Sequence, residues 1–578
     1  MISFSVESLI NYAKVNKLFE FKKKYEYLCA QIERIMNKTT IIAIFLSFLS
    51  LSSLAQPLPK REVRAVWLTT IGGLDWPHNY AQSYRSQEKQ QEELRTLLDK
   101  YQKAGINTIL LQTRIRATTI YPSAYEPWDG CLSGKPGVSP GYDALAFAIE
   151  ECHNRGMELH AWVVTIPVGK WKGTGCAQLR KKYPRLIKKI GEDGYMDPEN
   201  PATGDYISNI CEEITRNYDI DGIHLDYIRY PETWNIKVSR DQGRQNITNI
   251  VSKISNRVKS LKPWVKMSCS PVGKHDDLSR YWSHGWNAYT KVCQDAQNWL
   301  KNGLMDQLYP MMYFRDNNFF PFAIDWAEQS YGKTIVPGLG IYFLSPREGK
   351  WEIGDVTREM HIARQYGLGH AYFRGKFFTD NTKGIYDFAA NDFDKYPALV
   401  PAMTWQSTAR PQAPSRIDVC DYSLSWTRVV EQGVTYNVYA SNEYPVDIND
   451  ARNLVATRLN RCSITTDGKK RYYAVTAMNR YGNESLPLQQ PSEEKAKLSI
   501  GGLLTCNGNI VVLPELDQGC ESEMVVFTTL QGAIISTRLY NKYVNISNLP
   551  NGMYIARTIN ARGISHRIGM FMVKRNIK

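Results

Sequence analysis

The residues of this chain best suited to chemistry lie in the segment 221–231, which reads Asp-Gly-Ile-His-Leu-Asp-Tyr-Ile-Arg-Tyr-Pro. The alternation of its side chains predicts a strand that ends at Pro231, with His224 and Asp226 on one face. Asp226 is our candidate for an ionised catalytic carboxylate, because a nearby His224 or Arg229 would lower its pKa. The alternative is a structural ion pair between Asp226 and Arg229 that only joins two loops.

A second carboxyl group is needed if one acid is to donate a proton while another attacks or activates water. Asp295 begins a predicted helix that leads to the sixth strand, and Asp316 follows the end of that strand. Glu126 lies in the long loop after the second strand, where it can serve as the partner acid or contact the substrate. The non-catalytic alternatives are a helix cap for Asp295 and an exposed loop position for Asp316.

Other side chains near predicted strand ends are candidates for binding a substrate. Arg114 and Arg116 lie on one face of the second strand and would bind a carboxylate with paired hydrogen bonds. Trp162 and Tyr313 offer flat faces for a sugar ring, and packing in the core or rim is the alternative for both. The full set of predicted binding residues is Arg114, Arg116, Glu126, His160, Trp162, His224, Arg229 and Tyr313.

Eight strand-like runs alternate with amphipathic helices and supply the framework for these residues. Several of the runs are apolar throughout, as parallel strands buried on both faces are. This alternation predicts an α/β fold, a (β/α)8 TIM barrel, in which polar residues at the carboxyl ends of the strands face a substrate. The predicted strands are 62–69, 107–114, 158–165, 223–231, 265–270, 305–314, 334–340 and 369–374.

The barrel is predicted to occupy residues 59–400, and the sequence pattern changes after it. A Pro-rich linker at 409–415 leads into alternating strands that resemble a fibronectin type III sandwich over residues 409–492. A small β-sandwich is predicted for residues 497–578. Because clustered ionisable groups are absent from these two all-β domains, we expect both to be dispensable for chemistry.

The amino-terminal residues have the order of an export signal. A basic start at Met36 is followed by the apolar run 41–51 and by small residues before Gln56. We therefore expect residues 1–35 to be an upstream mis-start and residues 36–55 to be a cleaved signal peptide. The predicted location is periplasmic, cell-surface or extracellular, with peripheral association with the envelope.

Composition and charge argue against several classes of partner. The formal net charge of +14 is spread along the chain without a dense basic tract interleaved with aromatic residues, so nucleic acid is not predicted. The 11 cysteines are widely spaced, without a CxxC pair or a Cys/His cluster, so neither a metal nor another cofactor is predicted. A metal-dependent deacetylase or phosphodiesterase would need a His/Asp cluster, for which only His160, His224 and His370 lie near strand ends.

Six ordered blocks within residues 60–395 resemble the glycosyl hydrolase-like 10 family. The blocks are Arg61–Thr69, Tyr121–Trp128, His160–Trp162, Met196–Pro198, Asp221–Asp226 with Tyr230–Pro231, and Asp306–Pro310. The resemblance implies a glycosidase of the bacterial cell envelope that acts on a polysaccharide or oligosaccharide, peptidoglycan glycan strands among them, with two carboxyl groups.

The sequence departs from the family pattern at two places. Val163–Pro167 stands where the family has Asn-Pro-Tyr-Arg, and Tyr227 stands where a second carboxylate is often found. These departures leave one alternative open, a non-catalytic carbohydrate-binding envelope protein with a decayed barrel.

Overall fold

The computed structural model describes Lys24 and residues 58–281, 285–420, 422–491, 503–513, 522–560 and 565–575. The chain divides into two compact units, Met1–Leu58 and Pro59–Lys578, and nearly all described residues belong to the second. Apart from Lys24, the predicted mis-start and signal peptide lie outside the described residues. No helix within the described ranges is long and apolar enough to span a membrane.

Eight parallel strands form a closed barrel, so the predicted fold class is confirmed. The seventh strand has two short parts separated by Val336 and Pro337, and the first part pairs with the sixth strand while the second pairs with the eighth. The barrel strands are β1 Arg64–Leu68, β2 Thr108–Arg114, β3 Glu158–Val164, β4 Gly222–Asp226, β5 Lys266–Cys269, β6 Gln307–Leu308, β7 Thr334–Ile335 with Gly338–Leu339, and β8 His370–Tyr372.

A helix follows each barrel strand and covers the outside of the sheet. These helices are α1 Tyr84–Lys103, α2 Ala144–Asn154, α3 Pro201–Asn217, α4 Arg240–Leu261, α5 Ala296–Lys301, α6 Phe320–Glu328, α7 Ile353–Gln365 and α8 Gly375–Thr379. In α3, Ile207, Ile210 and Ile214 are buried at the spacing of one helix face, and Asn200 caps the first turn. Such apolar faces bind the helices to the sheet and leave its carboxyl end free for a site.

Strand β4 is shorter than predicted, since it ends at Asp226 rather than at the following proline. Tyr227 adopts a left-handed backbone with φ 52°, which turns the chain out of the sheet. Within the strand, Ile223 and Leu225 pack towards the helices, whereas His224 and Asp226 face the barrel interior. The predicted alternation therefore holds as far as Asp226 and fails beyond it.

An insertion between β3 and α3 builds a small antiparallel sheet beside the carboxyl ends of the barrel strands. It contains the strands Pro167–Lys170, Ile187–Ile190 and Asp193–Met196, with the helix Thr174–Lys182 between the first two. This insertion sheet is not among the elements predicted from the sequence. It supplies part of the wall of the main cleft.

Antiparallel sheets follow the barrel, as predicted. The first group of strands is β9 Ile417–Cys420, β10 Ser423–Trp426, β11 Thr435–Ser441, β12 Leu454–Leu459, β13 Ser463–Thr465, β14 Tyr472–Met478 and β15 Leu488–Gln489. Strands β9, β10 and β13 form one sheet and the other four form a second, with Leu424, Val438 and Val475 in the shared core. The resemblance of this first β-domain to a fibronectin type III domain stays a prediction.

A second group of strands completes the described chain. Its strands are β16 Cys506–Asn507, β17 Ile510–Val512, β18 Ser522–Thr529, β19 Ile534–Leu539, β20 Tyr543–Asn545, β21 Gly552–Asn560 and β22 Ser565–Val573. They form a three-stranded and a four-stranded sheet around a core that includes Val511, Phe527 and Phe571.

Candidate active site

An open cleft of about 730 Å³ lies at the carboxyl ends of the barrel strands, where this fold places its active sites. Side chains from several strands line it, including Gln112 of β2, Trp162 of β3 and Asp226 of β4. Tyr313, which follows β6, and Arg374, which follows β8, line it as well. The cleft therefore joins residues that are far apart in the sequence.

Asp226 is a buried carboxylate on the wall of this cleft, with 7% of its surface exposed. Its Oδ1 accepts hydrogen bonds from the Ser270 hydroxyl and the Tyr227 backbone N–H, each at 2.8 Å. Its Oδ2 accepts a hydrogen bond from the Trp162 indole N–H at 3.1 Å. The backbone and indole groups can only donate, so the arrangement favours the ionised carboxylate.

The charge environment of Asp226 differs from the one predicted. Burial raises the pKa of Asp226, and the hydrogen-bond donors and Arg229 oppose that effect only in part. The Arg229 guanidinium pairs with Glu232 at 2.6 Å and lies over the Tyr227 ring. In the described part of the chain, Asp226 has no ion-pair partner. The structure therefore shows neither a lowered pKa nor the alternative Asp226–Arg229 ion pair.

His224 is fully buried in the barrel interior and does not line the cleft. Its Nε2 accepts a hydrogen bond from the Trp67 indole at 3.3 Å, and its Nδ1 lies 3.0 Å from the Ser268 hydroxyl. Burial, with a further contribution from His160, lowers the pKa of His224 well below its usual range. A neutral, enclosed ring can neither support a charge on Asp226 nor contact a substrate, so both predictions for His224 are corrected.

Three more predicted binding residues are engaged within the protein. Arg114 is fully buried and forms a paired contact with Glu126, at 2.8 and 2.7 Å. Glu126 also accepts a hydrogen bond from the Tyr206 hydroxyl, which ties the loop after β2 to α3. His160 is enclosed, with its Nε2 3.2 Å from Glu158 at the start of β3. His160 faces the barrel interior, whereas Arg114 and Glu126 lie towards α3. None of the three lines the cleft, so their predicted role in binding is corrected.

Three predicted binding residues do lie on the cleft with Asp226. Arg116 is exposed there, and it makes no hydrogen bond or ion pair with another described residue. Trp162 contributes its ring as well as its hydrogen bond to Asp226. Tyr313 stacks on Phe373, with ring centres 5.2 Å apart and an angle of 28° between the rings. An unpaired cation and aromatic faces thus border the buried carboxylate.

Neither predicted partner acid lies on the cleft. Asp295 directly precedes α5, and its Oδ1 lies 3.9 Å from Nε2 of His275. Asp316 is exposed and pairs with Arg358 of α7 at 3.3 Å. The structure therefore does not bring Asp295 or Asp316 together with Asp226, and their predicted catalytic role is corrected.

Asp193 and Glu232 are the acids that share the cleft with Asp226 among the described residues. Asp193 lies on the insertion sheet and pairs with Lys170 at 3.1 Å, while Glu232 pairs with Arg229 in the loop after β4. Neither acid was predicted from the sequence, because the predicted β4 continues through the turn at Tyr227 and the insertion was not predicted. The available signal for Glu232 is its position directly after the proline that ends the predicted strand.

A second cluster, at the amino-terminal end of the barrel, has the composition of a metal site. Glu62, His370 and Asp394 have ligand atoms within 4.8 Å of one another. Arg64 and Arg364 each pair with both carboxylates, and His370 lies 2.9 Å from Asp394. Two guanidinium groups already supply the positive charge that a cation would bring, so the cluster is an ion-pair network.

The barrel is the part of the chain that is similar to a known protein family. Residues 62–242 and 233–344 match the glycosyl hydrolase-like 10 family. The chain is 28% identical over 484 residues to Glycosyl hydrolase YngK of Bacillus subtilis (strain 168), covering 76% of this chain and 94% of that protein. It is 30% identical over 291 residues to Glycosyl hydrolase DigH of Escherichia coli (strain K12), covering 44% of this chain and 66% of that protein.

Among solved structures, the glycoside hydrolase domain of PgaB (BpsB) from Bordetella bronchiseptica has a TM-score of 0.39 and 12% identity, covering 58% of this chain and 98% of that one. At this identity and TM-score the likeness carries no functional information. The family match, in contrast, spans Arg116, Trp162, Asp226 and Tyr313, the predicted residues that line the cleft. The barrel is thus similar to the glycosyl hydrolase-like 10 family over residues 62–344, and together with YngK and DigH this similarity identifies the protein as a glycoside hydrolase.

Proposed function

We propose that the protein is an exported glycoside hydrolase that cleaves peptidoglycan glycan strands with two carboxyl groups, one of which is Asp226. The observation that carries this proposal is the buried Asp226 carboxylate on the wall of an open cleft. An acid that is enclosed without an ion-pair partner is costly unless it is used. The family match and the names of YngK and DigH support the reaction class.

Asp226 is placed to act as the ionised member of the pair. Its Oδ1 accepts two hydrogen bonds and its Oδ2 accepts one. Oδ2 therefore keeps a free lone pair that can attack a sugar carbon or accept a hydrogen bond from a water molecule. In a two-carboxylate hydrolysis, this group attacks the sugar or activates water while the second acid protonates the leaving oxygen. The hydrogen bonds hold Asp226 in one orientation for either step.

The second acid comes from Asp193 or Glu232, the described acids that share the cleft. Although burial alone would raise it, Arg229 holds the pKa of Glu232 below its usual value, so this ion pair must open before Glu232 donates a proton. Asp193→Asn and Glu232→Gln distinguish the two. Loss of the true proton donor should slow the hydrolysis of natural linkages but leave the hydrolysis of substrates with a good leaving group nearly unchanged, because such substrates need no protonation. Loss of the other acid should not produce this difference.

The cleft is suited to an anionic glycan. Arg116 presents an exposed guanidinium without a partner in the described chain, which would pair with a carboxylate such as a lactyl ether. The stacked rings of Tyr313 and Phe373 offer an apolar face beside it. These features support a peptidoglycan glycan over a neutral glucan.

Export and the accessory domains complete the proposal. The segment before Gln56 has the order of a signal peptide, and the first β-domain is proposed to be a fibronectin type III-like accessory domain. Sequencing of the exported protein should find Gln56 at its amino terminus. Recovery of exported protein with residues 1–35 intact would reject this part.

The proposed activity is tested with the purified chain on two matched glycans. Peptidoglycan strands freed of peptides and a neutral β-glucan of similar length are compared for release of reducing ends. We expect release from the anionic strands and little from the neutral glucan. Release from neither, with the glycan strands bound, would reject hydrolysis of this substrate.

A non-catalytic carbohydrate-binding protein is the second candidate. The observation that favours it is that both other acids of the cleft are held in ion pairs, Asp193 with Lys170 and Glu232 with Arg229. This candidate predicts tight glycan binding in calorimetry, with no reducing ends released at any pH between about 4 and 8.

A further inference from the structure

The amino-terminal end of the barrel carries a buried ion cluster that is completed from outside the barrel. Glu158 begins β3 and Asp221 directly precedes β4, and both are buried. Arg458 of β12, in the first β-domain, donates to Glu158 Oε1 at 2.9 Å and to Asp221 Oδ1 at 2.5 Å. One side chain of the β-domain thus joins two neighbouring strands of the barrel.

The charges of this cluster do not balance within the barrel alone. Lys266 of β5 pairs with Glu158 at 2.9 Å, and His153 Nε2 lies 2.8 Å from Asp221 Oδ2. Burial by itself would raise the pKa of Glu158, but Lys266 and Arg458 hold it at about 2. Without Arg458, two enclosed carboxylates would face one permanently charged partner, which is a costly arrangement.

Charged residues at the start of the barrel also pair with a carboxylate of the first β-domain. Glu484, in the connection between β14 and β15, is buried and accepts hydrogen bonds from Lys60 at 2.7 Å and Arg61 at 3.0 Å. Arg480 pairs with Asp219, which lies before β4, at 2.7 Å. Each domain therefore supplies cations that pair with buried carboxylates of the other domain, unlike domains joined only by a flexible linker.

The two strands held by Arg458 are the ones that meet at Asp226. Strands β3 and β4 run side by side, with Val164 opposite Asp226. Glu158 and Trp162 lie on the same inward face of β3, and Trp162 donates its indole N–H to Asp226. A shift of β3 against β4 at their base would therefore move the donor away from the carboxylate.

We propose that Arg458 is a positioning residue, which joins Glu158 to Asp221 and so holds β3 and β4 in the register that brings Trp162 to Asp226. This inference goes beyond the proposed function and does not depend on the substrate. It also predicts, against the expectation from sequence, that the first β-domain contributes to the geometry of the site. That domain supplies a part of the barrel's buried structure.

The test is amide hydrogen exchange of the full chain with Arg458→Met, which keeps an apolar stem but removes the charge. We expect exchange to accelerate by at least about 10-fold in peptides that span β3 and β4, including their ends at Trp162 and Asp226, with little change in β6 and β8. Arg461→Met is the matched control, because Arg461 is exposed and bonds only to the Ser463 carbonyl in the described chain. Acceleration confined to the β-domain would overturn the proposal.

A further variant separates positioning from charge balance, whether or not Arg458→Met folds. Adding Glu158→Gln and Asp221→Asn removes the unpaired buried charges and should restore folding. If Arg458 sets the register, exchange at the ends of β3 and β4 stays fast in this triple variant. Exchange at the wild-type rate would show that Arg458 only balances charge, and would overturn the proposal.

Discussion

At the scale of single residues, activity depends on how readily Asp226 carries a negative charge. Ser270→Ala removes one donor to Oδ1. A donor that stabilises the charged form lowers the pKa, so its loss raises the pKa of Asp226 further. We expect the acidic limb of the pH–rate profile to move to higher pH by about one unit, since a hydrogen bond to a charged group contributes roughly 1.5–3 kcal/mol.

Ser268→Ala is the control for this shift. The Ser268 hydroxyl contacts His224 and the Ile223 carbonyl rather than Asp226. Its acidic limb should stay in place. Equal shifts in both variants, or none in Ser270→Ala, would mean that the limb reports another group.

Arg114 and Arg116 are two residues apart, but replacement by alanine should change a different property in each case. Arg116→Ala removes an exposed cation from the cleft, so the KM for an anionic glycan should rise about tenfold with little change in Tm. Arg114→Ala leaves Glu126 buried without its partner, which costs roughly 3–5 kcal/mol of stability and lowers Tm. An unchanged KM in the first variant, or an unchanged Tm in the second, would contradict these assignments.

The sequence predicts the identity of the main carboxylate but not which neighbours reach the cleft. Strand alternation shows that His160, His224 and Asp226 face inward, and the structure agrees. Alternation does not show the depth of a side chain along the barrel axis, because depth depends on the stagger between neighbouring strands. His160 and His224 therefore lie below the cleft and contact the protein instead of a substrate. Arg114 misses the cleft for another reason, since a register shift in β2 turns it towards Glu126 and α3.

At the scale of elements, the contact between β3 and β4 depends on a glycine. A Cβ at Gly222 would lie 2.6 Å from the His160 Nδ1. We expect Gly222→Ala to cost about 1–3 kcal/mol through overpacking, measured as a lower Tm. Gly354→Ala in α7 is the control, since an added Cβ there meets no atom within 4 Å. Equal Tm values for the two variants would contradict this view of the strand contact.

The strands of the barrel could be predicted from sequence, whereas their ends and the insertion could not. Apolar runs between amphipathic helices indicate all eight barrel strands. The end of β4 depends on the left-handed backbone of Tyr227, which a side-chain pattern does not reveal. The insertion strands are only 4 residues long, too short for a periodic signal.

At the scale of the whole molecule, buried ion clusters make stability depend on pH. Burial alone would raise the pKa values of Glu158, Asp394 and Glu484, but cationic neighbours hold each at about 2. Their ordinary values are about 4 to 4.5, so their contribution is complete above that range and is lost as pH falls towards 2. We expect Tm to be nearly constant from pH 7 to 5 and to fall steeply below about pH 4.5.

Glu484→Gln provides the check on this pH dependence. The variant should have a lower Tm at pH 7, because Lys60 and Arg61 lose their buried partner. Its Tm should also fall less steeply in acid, since one titrating group is gone. A wild-type Tm that is flat down to pH 3 would show that these clusters do not control stability.

The order of the barrel and the β-sheets could be predicted from sequence, but the contact between them could not. The pattern around Arg458 is that of an ordinary edge of a strand, and nothing in it indicates that the side chain enters a barrel. Such a contact is a property of two surfaces, and the periodicity of either segment alone describes only its own fold. The expectation of a dispensable first β-domain takes no account of this contact and stays a prediction.

The central claim is that Asp226 carries the chemistry, and the most direct test is Asp226→Asn with turnover and Tm measured on one preparation. Asparagine keeps the shape and still accepts from Trp162 or Tyr227, and no described cation loses an ion pair. We expect kcat to fall by at least about 10³, or roughly 4 kcal/mol of transition-state stabilisation, with Tm nearly unchanged. An unchanged kcat in a normally stable variant would contradict the claim and place the chemistry elsewhere in the barrel.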